Sequence, residues 1–224
     1  MAHQVKGKSP GRLISIDGTR GKDVALAARD VVAKLKKHRI ECAVSRWDAS
    51  GLFTDLAAGA KTGHDVSIRS LSLVYAADLA FRIRWEIQPV LEAGGVVIAA
   101  SYIDTAAAFG AIGGLDAKWL RELMRFAPPA NYRGLVDERK IDRPWKRRAD
   151  RGYAEYGALM LEEAAPQRVS KSARRKMMAM LERARGRSVF HLTNKGIGAL
   201  AQALIDSRQA GSRRSASRPR SGRK

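Results

Sequence analysis

Apolar and polar positions along the chain follow two periods in turn. Arg12–Asp17 (RLISID) is a short apolar run closed by Gly18, which predicts a buried strand. From Val24 to His38 apolar residues return at helical spacing, at Val24, Ala27/Ala28, Val31 and Leu35, with Lys34, Lys36 and Lys37 left outside. Ile40–Ser45 predicts a second strand. Leu71–Leu91 predicts a long amphipathic helix with Leu71, Val74, Tyr75, Ile83, Ile87 and Leu91 facing inward, stopped by Gly94-Gly95. Val96–Ala100 has the continuous apolar character of a parallel-sheet interior. Asp116–Phe126 reads as helix, broken by Pro128-Pro129, before a fourth strand at Tyr132–Val136. Val189–Thr193 and Lys195–Ser207 predict a fifth strand and a closing helix. Strands alternating with helices predict an α/β fold, a five-stranded parallel sheet with helices on both faces.

Two segments break the pattern. Glu138–Arg151 (ERKIDRPWKRRADR) is basic, contains Pro144 and Trp145, and is expected to be a mobile, lid-like loop at 138–151. Beyond Ser207 the residues 208–224 form a basic tail. Its last part, Gly211–Lys224, has six basic residues, no acid and no large apolar side chain, and is expected to be disordered. Residues 1–10 are polar and basic, expected to be flexible and unlike a signal peptide. One domain at 11–207 is therefore expected.

Composition changes the picture in one respect. The 224 residues carry 42 Lys and Arg against 22 acids, a formal charge of +20, with a hydrophobic fraction of 45% suited to a globular core. Such a field attracts polyanions: nucleotide phosphates, nucleic acid or acidic surfaces. A single cysteine, Cys42, excludes an intrachain disulfide framework and points to a reducing cytoplasm; its apolar surroundings mark it as core. The four histidines are scattered without metal-ligand spacing, so no metal site is expected from them.

Three segments, in order, resemble thymidylate kinases. The first is strand-loop-helix Ile14–Leu35, followed by Ser45-Arg46-Trp47-Asp48. The second is Leu73–Leu91 (LVYAADLAFRIRWEIQPVL), similar to the family helix L-L-x-A-A-D-R…I-x-P-x-L. The third is Gly94–Ala108 (GGVVIAASYIDTAAA), similar to G-x-x-V-I-x-D-R-Y-x-x-S-x-x-A. The resemblance reaches residue 137 and is thin beyond it. It implies a P-loop nucleoside monophosphate kinase fold. It also implies transfer of the γ-phosphoryl group of ATP to dTMP with Mg²⁺, work done almost wholly by positioning and charge neutralisation.

The phosphate-handling positions depart from the family. Without gaps, the loop octad is Gly18-Thr19-Arg20-Gly21-Lys22-Asp23-Val24-Ala25. Val24 then stands where the lysine belongs, Ala25 where the Mg²⁺ hydroxyl belongs, and Asp23 where the last glycine belongs. This alignment keeps the downstream register. A rival one deletes two residues, makes Gly21-Lys22 the Gly-Lys pair, and puts Asp23 at the metal hydroxyl. After the third strand the family's Asp-Arg-Tyr is Ala100-Ser101-Tyr102, and Leu79 replaces a family Arg.

On this resemblance the nucleotide-binding candidates are Gly18, Gly21, Lys22, Arg46, Arg82, Tyr102, Thr105 and Phe109, with Arg147, Arg148 and Arg151 in the lid. Lys22 is the catalytic candidate if the chain is active. The leading reading is a pseudokinase that binds nucleotide weakly or binds a protein partner. Two others stay open: an active ATP- and Mg²⁺-dependent dTMP or nucleoside monophosphate kinase using Lys22, and a basic nucleic-acid-binding module on a kinase scaffold. The partners implied are dTMP or ATP, nucleic acid through the basic tail, and a second copy or an intact kinase, with no membrane.

Overall fold

A computed structural model describes residues 11–47, 49–52, 66–156, 170–183 and 189–216, without the side chains of 150–156, 194 and 211–216. In chain order the elements are β1 Arg12–Gly18, α1 Gly21–Lys37, β2 Cys42–Arg46 and α2 Ile68–Arg82. The last of these passes through one π-helical stretch, Ile83–Ile87, into α3 Gln88–Glu92. There follow β3 Val96–Ala100, α4 Ile103–Ile112, α5 Ala117–Leu123, β4 Tyr132–Val136, α6 Arg143–Tyr156, α7 Lys171–Arg183, β5 Val189–His191 and α8 Asn194–Ala216. All strand pairings are parallel, in the order β2-β3-β1-β4-β5. The α/β, five-stranded parallel reading is what the chain adopts.

Strand side chains alternate between faces, and here both faces are apolar. Leu13, Val97, Ala99 and Leu135 join Leu71, Tyr75, Leu79, Phe109, Met177 and Leu181 in one core. Ile14, Ile16, Val96, Ile98 and Val136 join Val24, Val31, Leu35, Trp145, Leu200 and Leu204 in the other. The helix over 68–92 ends as the two glycines predict. Gly94 takes a φ of 78°, Gly94 N–H donates to Leu91 O at 2.9 Å, and Gly95 N–H donates to Val90 O at 2.8 Å. That pair of bonds is a Schellman closure.

Four expectations need correction. Only 138–142 of the basic loop is irregular, because α6 begins at Arg143. Asp142 accepts from Trp145 N–H at 2.8 Å and caps the helix, Pro144 sits in the first turn where no N–H is needed, and Trp145 and Ala149 are buried one turn apart. α4 occupies a stretch in which no separate helix is expected, and α7 occupies one for which nothing is predicted. α8 runs nine residues beyond Ser207, to Ala216, so residues 208–216 are helix; residues 217–224 lie outside those described, as do 1–10. Cys42 is half-buried against the second core, and burial pushes its thiol up.

Candidate functional site

In an open parallel sheet, ligands meet the carboxyl ends of the strands. Four short segments leave β1 to β4 there: Gly18-Thr19-Arg20, Arg46-Trp47, Ser101-Tyr102 and Asp137. Gly18 is tight, since a Cβ on it would lie 2.9 Å from Val24 Cγ2 and 3.1 Å from Val136 O. Only Thr19 and Arg20 separate β1 from α1. Arg20 O accepts from Asp23 N–H and Val24 N–H, both at 3.1 Å, and no side chain caps the helix. The amino end of α1 thus lies two residues from the end of β1. Gly21-Lys22 opens the helix, while Val24, the lysine position of the ungapped alignment, is buried in the core. The helix start therefore coincides with the Gly-Lys pair of the shortened loop.

Asp23 lies in that first turn at 1% exposure, and neither carboxylate oxygen makes a hydrogen bond among the described residues. Arg20 Nη1 is 3.4 Å from Oδ2. Burial pushes the carboxyl up from its ordinary range, opposed by the charges of Arg20 and Lys22. The Trp145 indole also favours the ionised form but makes no hydrogen bond of ordinary geometry. A buried acid thus sits in the first turn of α1.

At the ends of β2 and β3, Arg82 is fully buried. Its Nε donates to Ser45 Oγ at 2.8 Å and Nη2 to Ser45 O at 3.1 Å, while Nη1 and Nη2 donate to Ser101 O at 3.2 and 3.1 Å. Asp78 Oδ2 lies 4.0 Å from Nη1, and Asp78 Oδ1 accepts from Ser50 N–H and Oγ–H at 3.0 and 2.8 Å. The guanidinium ties the ends of β2 and β3 together. It is not a surface charge.

Tyr102 and Thr105 converge on Asp17, at the end of β1. Asp17 Oδ1 accepts from Tyr102 N–H at 2.9 Å, Thr105 N–H at 3.1 Å and Thr105 Oγ1–H at 2.7 Å, which caps α4. Burial, reinforced by the neighbouring charge of Asp104, pushes Asp17 up to about 6 against these bonds. Tyr102 Oη donates to Pro128 O at 2.9 Å, and Phe109 lies in the core. Arg82, Tyr102, Thr105 and Phe109, four of the nucleotide-binding candidates, thus gather at or below the strand ends as buried groups with partners inside the fold. Arg46, the last residue of β2, is exposed. Tyr75, its ring centroid 4.2 Å from that of Trp47 and tilted by 58°, donates to Tyr102 O and lines the same region.

Of the lid candidates, Arg148 is bound to Asp30 of α1 at 2.6 Å and Arg147 is exposed; Arg151's side chain is outside those described. A cavity of about 150 Å³ that sequence reasoning missed opens beside Trp145, lined by Lys140, Ile141, Asp142, Thr193 and Lys195. Its residues come from the segments that follow β4 and β5, with Trp145 in α6 and Lys195 in α8, and only the strand ends pointed to them. Asp137, also at the end of β4, is pushed up by burial but held low overall by Arg139 at 2.7 Å. Among the described residues no three His, Cys, Asp or Glu side chains form a metal-binding group, and no helix is long and apolar enough to cross a membrane.

No family model matches the chain. It is similar to the probable thymidylate kinase 2 of Saccharolobus solfataricus, at 28% identity over 117 residues, which are 52% of this chain and 53% of the relative. A probable thymidylate kinase of Thermococcus kodakarensis is 39% identical over 79 residues, 35% of this chain and 37% of its own length. One from Sulfurisphaera tokodaii is 28% identical over 126 residues, 56% and 63%. The chain spans about half the length of the first of these relatives.

Proposed function

The chain is thymidylate kinase-like in sequence and fold, and on that premise we propose that it binds nucleotide at the carboxyl edge of its sheet without useful transfer of a phosphoryl group. The observation that carries this reading is Asp23, a buried carboxylate in the first turn of α1 behind a two-residue loop. Phosphoryl transfer needs N–H groups and cations around the β- and γ-phosphates, because charge develops on their oxygens. At ~5 Å and an effective dielectric of ~20, one carboxylate opposes one phosphate charge by about 3 kcal/mol. Arg20 and Lys22 offset part of that. The donor set does not fit Mg²⁺ bound to ATP in the way such kinases hold it. The metal-hydroxyl position is Asp23 on the shortened loop and Ala25 on the ungapped one, neither with a hydroxyl, and Ala100 and Ser101 stand where the resemblance expects Asp and Arg. Losing an arginine that faces the transferring group costs about 10³-fold in rate.

A nucleotide would instead rest on the α1 terminus, Lys22 and the cavity of Lys140, Trp145 and Lys195. Titration of the protein with ATP and with dTMP tests this. Weak binding is expected, tightened about tenfold or more by Asp23→Asn. No binding of either nucleotide by either protein at millimolar concentration would overturn the reading. One observation favours a second reading, an active kinase: α1 starts at Gly21, so Lys22 stands in its first turn. Turnover abolished by Lys22→Ala separates the two.

A further inference from the structure

We propose that the outer face of α7 is a docking face for the sugar-phosphate backbone of nucleic acid, bound without reading of bases. The helix KSARRKMMAMLER has two sides with different fates. Met177, Met178 and Leu181 are buried in the first core, so its apolar side is fully used within the fold. The other side exposes Lys171, Arg175, Lys176 and Arg183. Among the described residues, two acids near α7 are engaged by other arginines: Glu182 by Arg139 at 3.0 Å, and Glu138 by Arg174 at 3.9 Å. None of the ion pairs among the described residues takes Lys171, Arg175, Lys176 or Arg183. Among the described residues these acids are thus paired elsewhere, and the four cations are exposed.

The geometry selects the class of polyanion. Lys171 and Arg175 are one turn apart, about 6 Å along the axis, and Lys171 to Arg183 spans about 18 Å. A continuous row of phosphates, with a charge every ~3.4 Å of strand, meets cations at any of these intervals. A membrane surface fits poorly, because Met180 is the one large apolar side chain exposed on this helix and no aromatic residue accompanies it. The net charge of +20 adds long-range attraction but does not choose a face.

The test is fluorescence anisotropy of a labelled 20-nucleotide DNA, single-stranded and duplex, with the full chain over a range of salt. The triple variant Lys171→Glu/Arg175→Glu/Lys176→Glu is compared with Lys34→Glu/Lys36→Glu/Lys37→Glu, which changes net charge equally on α1, across the sheet. The α7 variant should bind about 100-fold more weakly at low salt. Its log–log salt slope on duplex should be shallower by about 3, one unit per lost phosphate contact. The glutamine version of the same triple change, milder for folding, should lose slope in the same way. Equal weakening by the α1 variant, no binding by the unaltered chain at low salt, or stronger binding to vesicles of anionic lipid than to either DNA would each overturn the proposal.

Discussion

Replacing Arg82 by alanine is the sharpest perturbation of the strand-end network. The guanidinium has no exposed surface and donates four hydrogen bonds to two residues on neighbouring strands. Truncation strands Ser45 Oγ, removes donors from two buried carbonyls and leaves Asp78 without its nearby cation. Breaking a buried pair from one side costs about 3–5 kcal/mol, and each polar group left unpaired adds to it at about 1–3 kcal/mol. Because the losses overlap, the net is placed at about 4–5 kcal/mol. For a chain of this length each kcal/mol moves the melting temperature by about 2–4 °C, so a drop of roughly 10–15 °C follows. Urea unfolding followed by far-ultraviolet circular dichroism, with a thermal melt beside it, reads both numbers. Arg82→Lys should recover less than half, since an ammonium lacks the fork that spans Ser45 and Ser101. In a cycle with Asp78→Ala the two losses should be non-additive by about 1 kcal/mol. A loss below about 1 kcal/mol for Arg82→Ala, the scale of an ordinary surface change, would refute the assignment of this arginine to the framework.

Asp17 titrates higher folded than unfolded, so its contribution to stability is full below the ordinary carboxylate value of 3.8 and is lost as pH rises through about 6. The difference in unfolding free energy between the protein and Asp17→Asn should therefore change by about 3 kcal/mol across that window; a flat difference would contradict it. Asp23 is raised in the same direction by burial, so Asp23→Asn should be more stable than the unaltered chain at pH 7 and lose that advantage in acid. Equal urea midpoints at pH 7 would show the carboxylate to be relieved in some other way. Trp145→Ala should cost about 3–5 kcal/mol, because the ring is buried between α1 and α6 and truncation opens a cavity; a change under 1 kcal/mol would return 143–151 to a loop.

Much of the architecture was legible because one period dominated each segment. β3 and β4 fall on the predicted residues, and the helix through Leu91 ends where Gly94 supplies a left-handed residue. α4 escaped because Ile103–Ile112 is apolar all round. Packed between the sheet and α7, it shows no polar stripe to reveal a period. α6 escaped because Pro144 and the surrounding charges look like loop chemistry; only the cap from Asp142 and the burial of Trp145, a tertiary fact, make them a helix start. The site was less legible for the same reason. Arg82 is spent on Ser45 and Ser101, 37 and 19 residues away, and no local pattern reports that meeting. Thr105 and Tyr102 kept their family positions but serve Asp17. The departure of the loop from the kinase pattern was visible at once, since Asp23 is a sequence fact, whereas its burial and the helix start at Gly21 required the fold.

The most direct measurement is single-turnover transfer of labelled γ-phosphate from Mg²⁺-ATP to dTMP with the protein in excess, run beside Lys22→Ala. The account predicts no labelled dTDP above the Lys22→Ala level in either reaction. Labelled dTDP formed by the unaltered chain and abolished by Lys22→Ala would contradict it, and would make Lys22 the phosphate lysine of a working kinase.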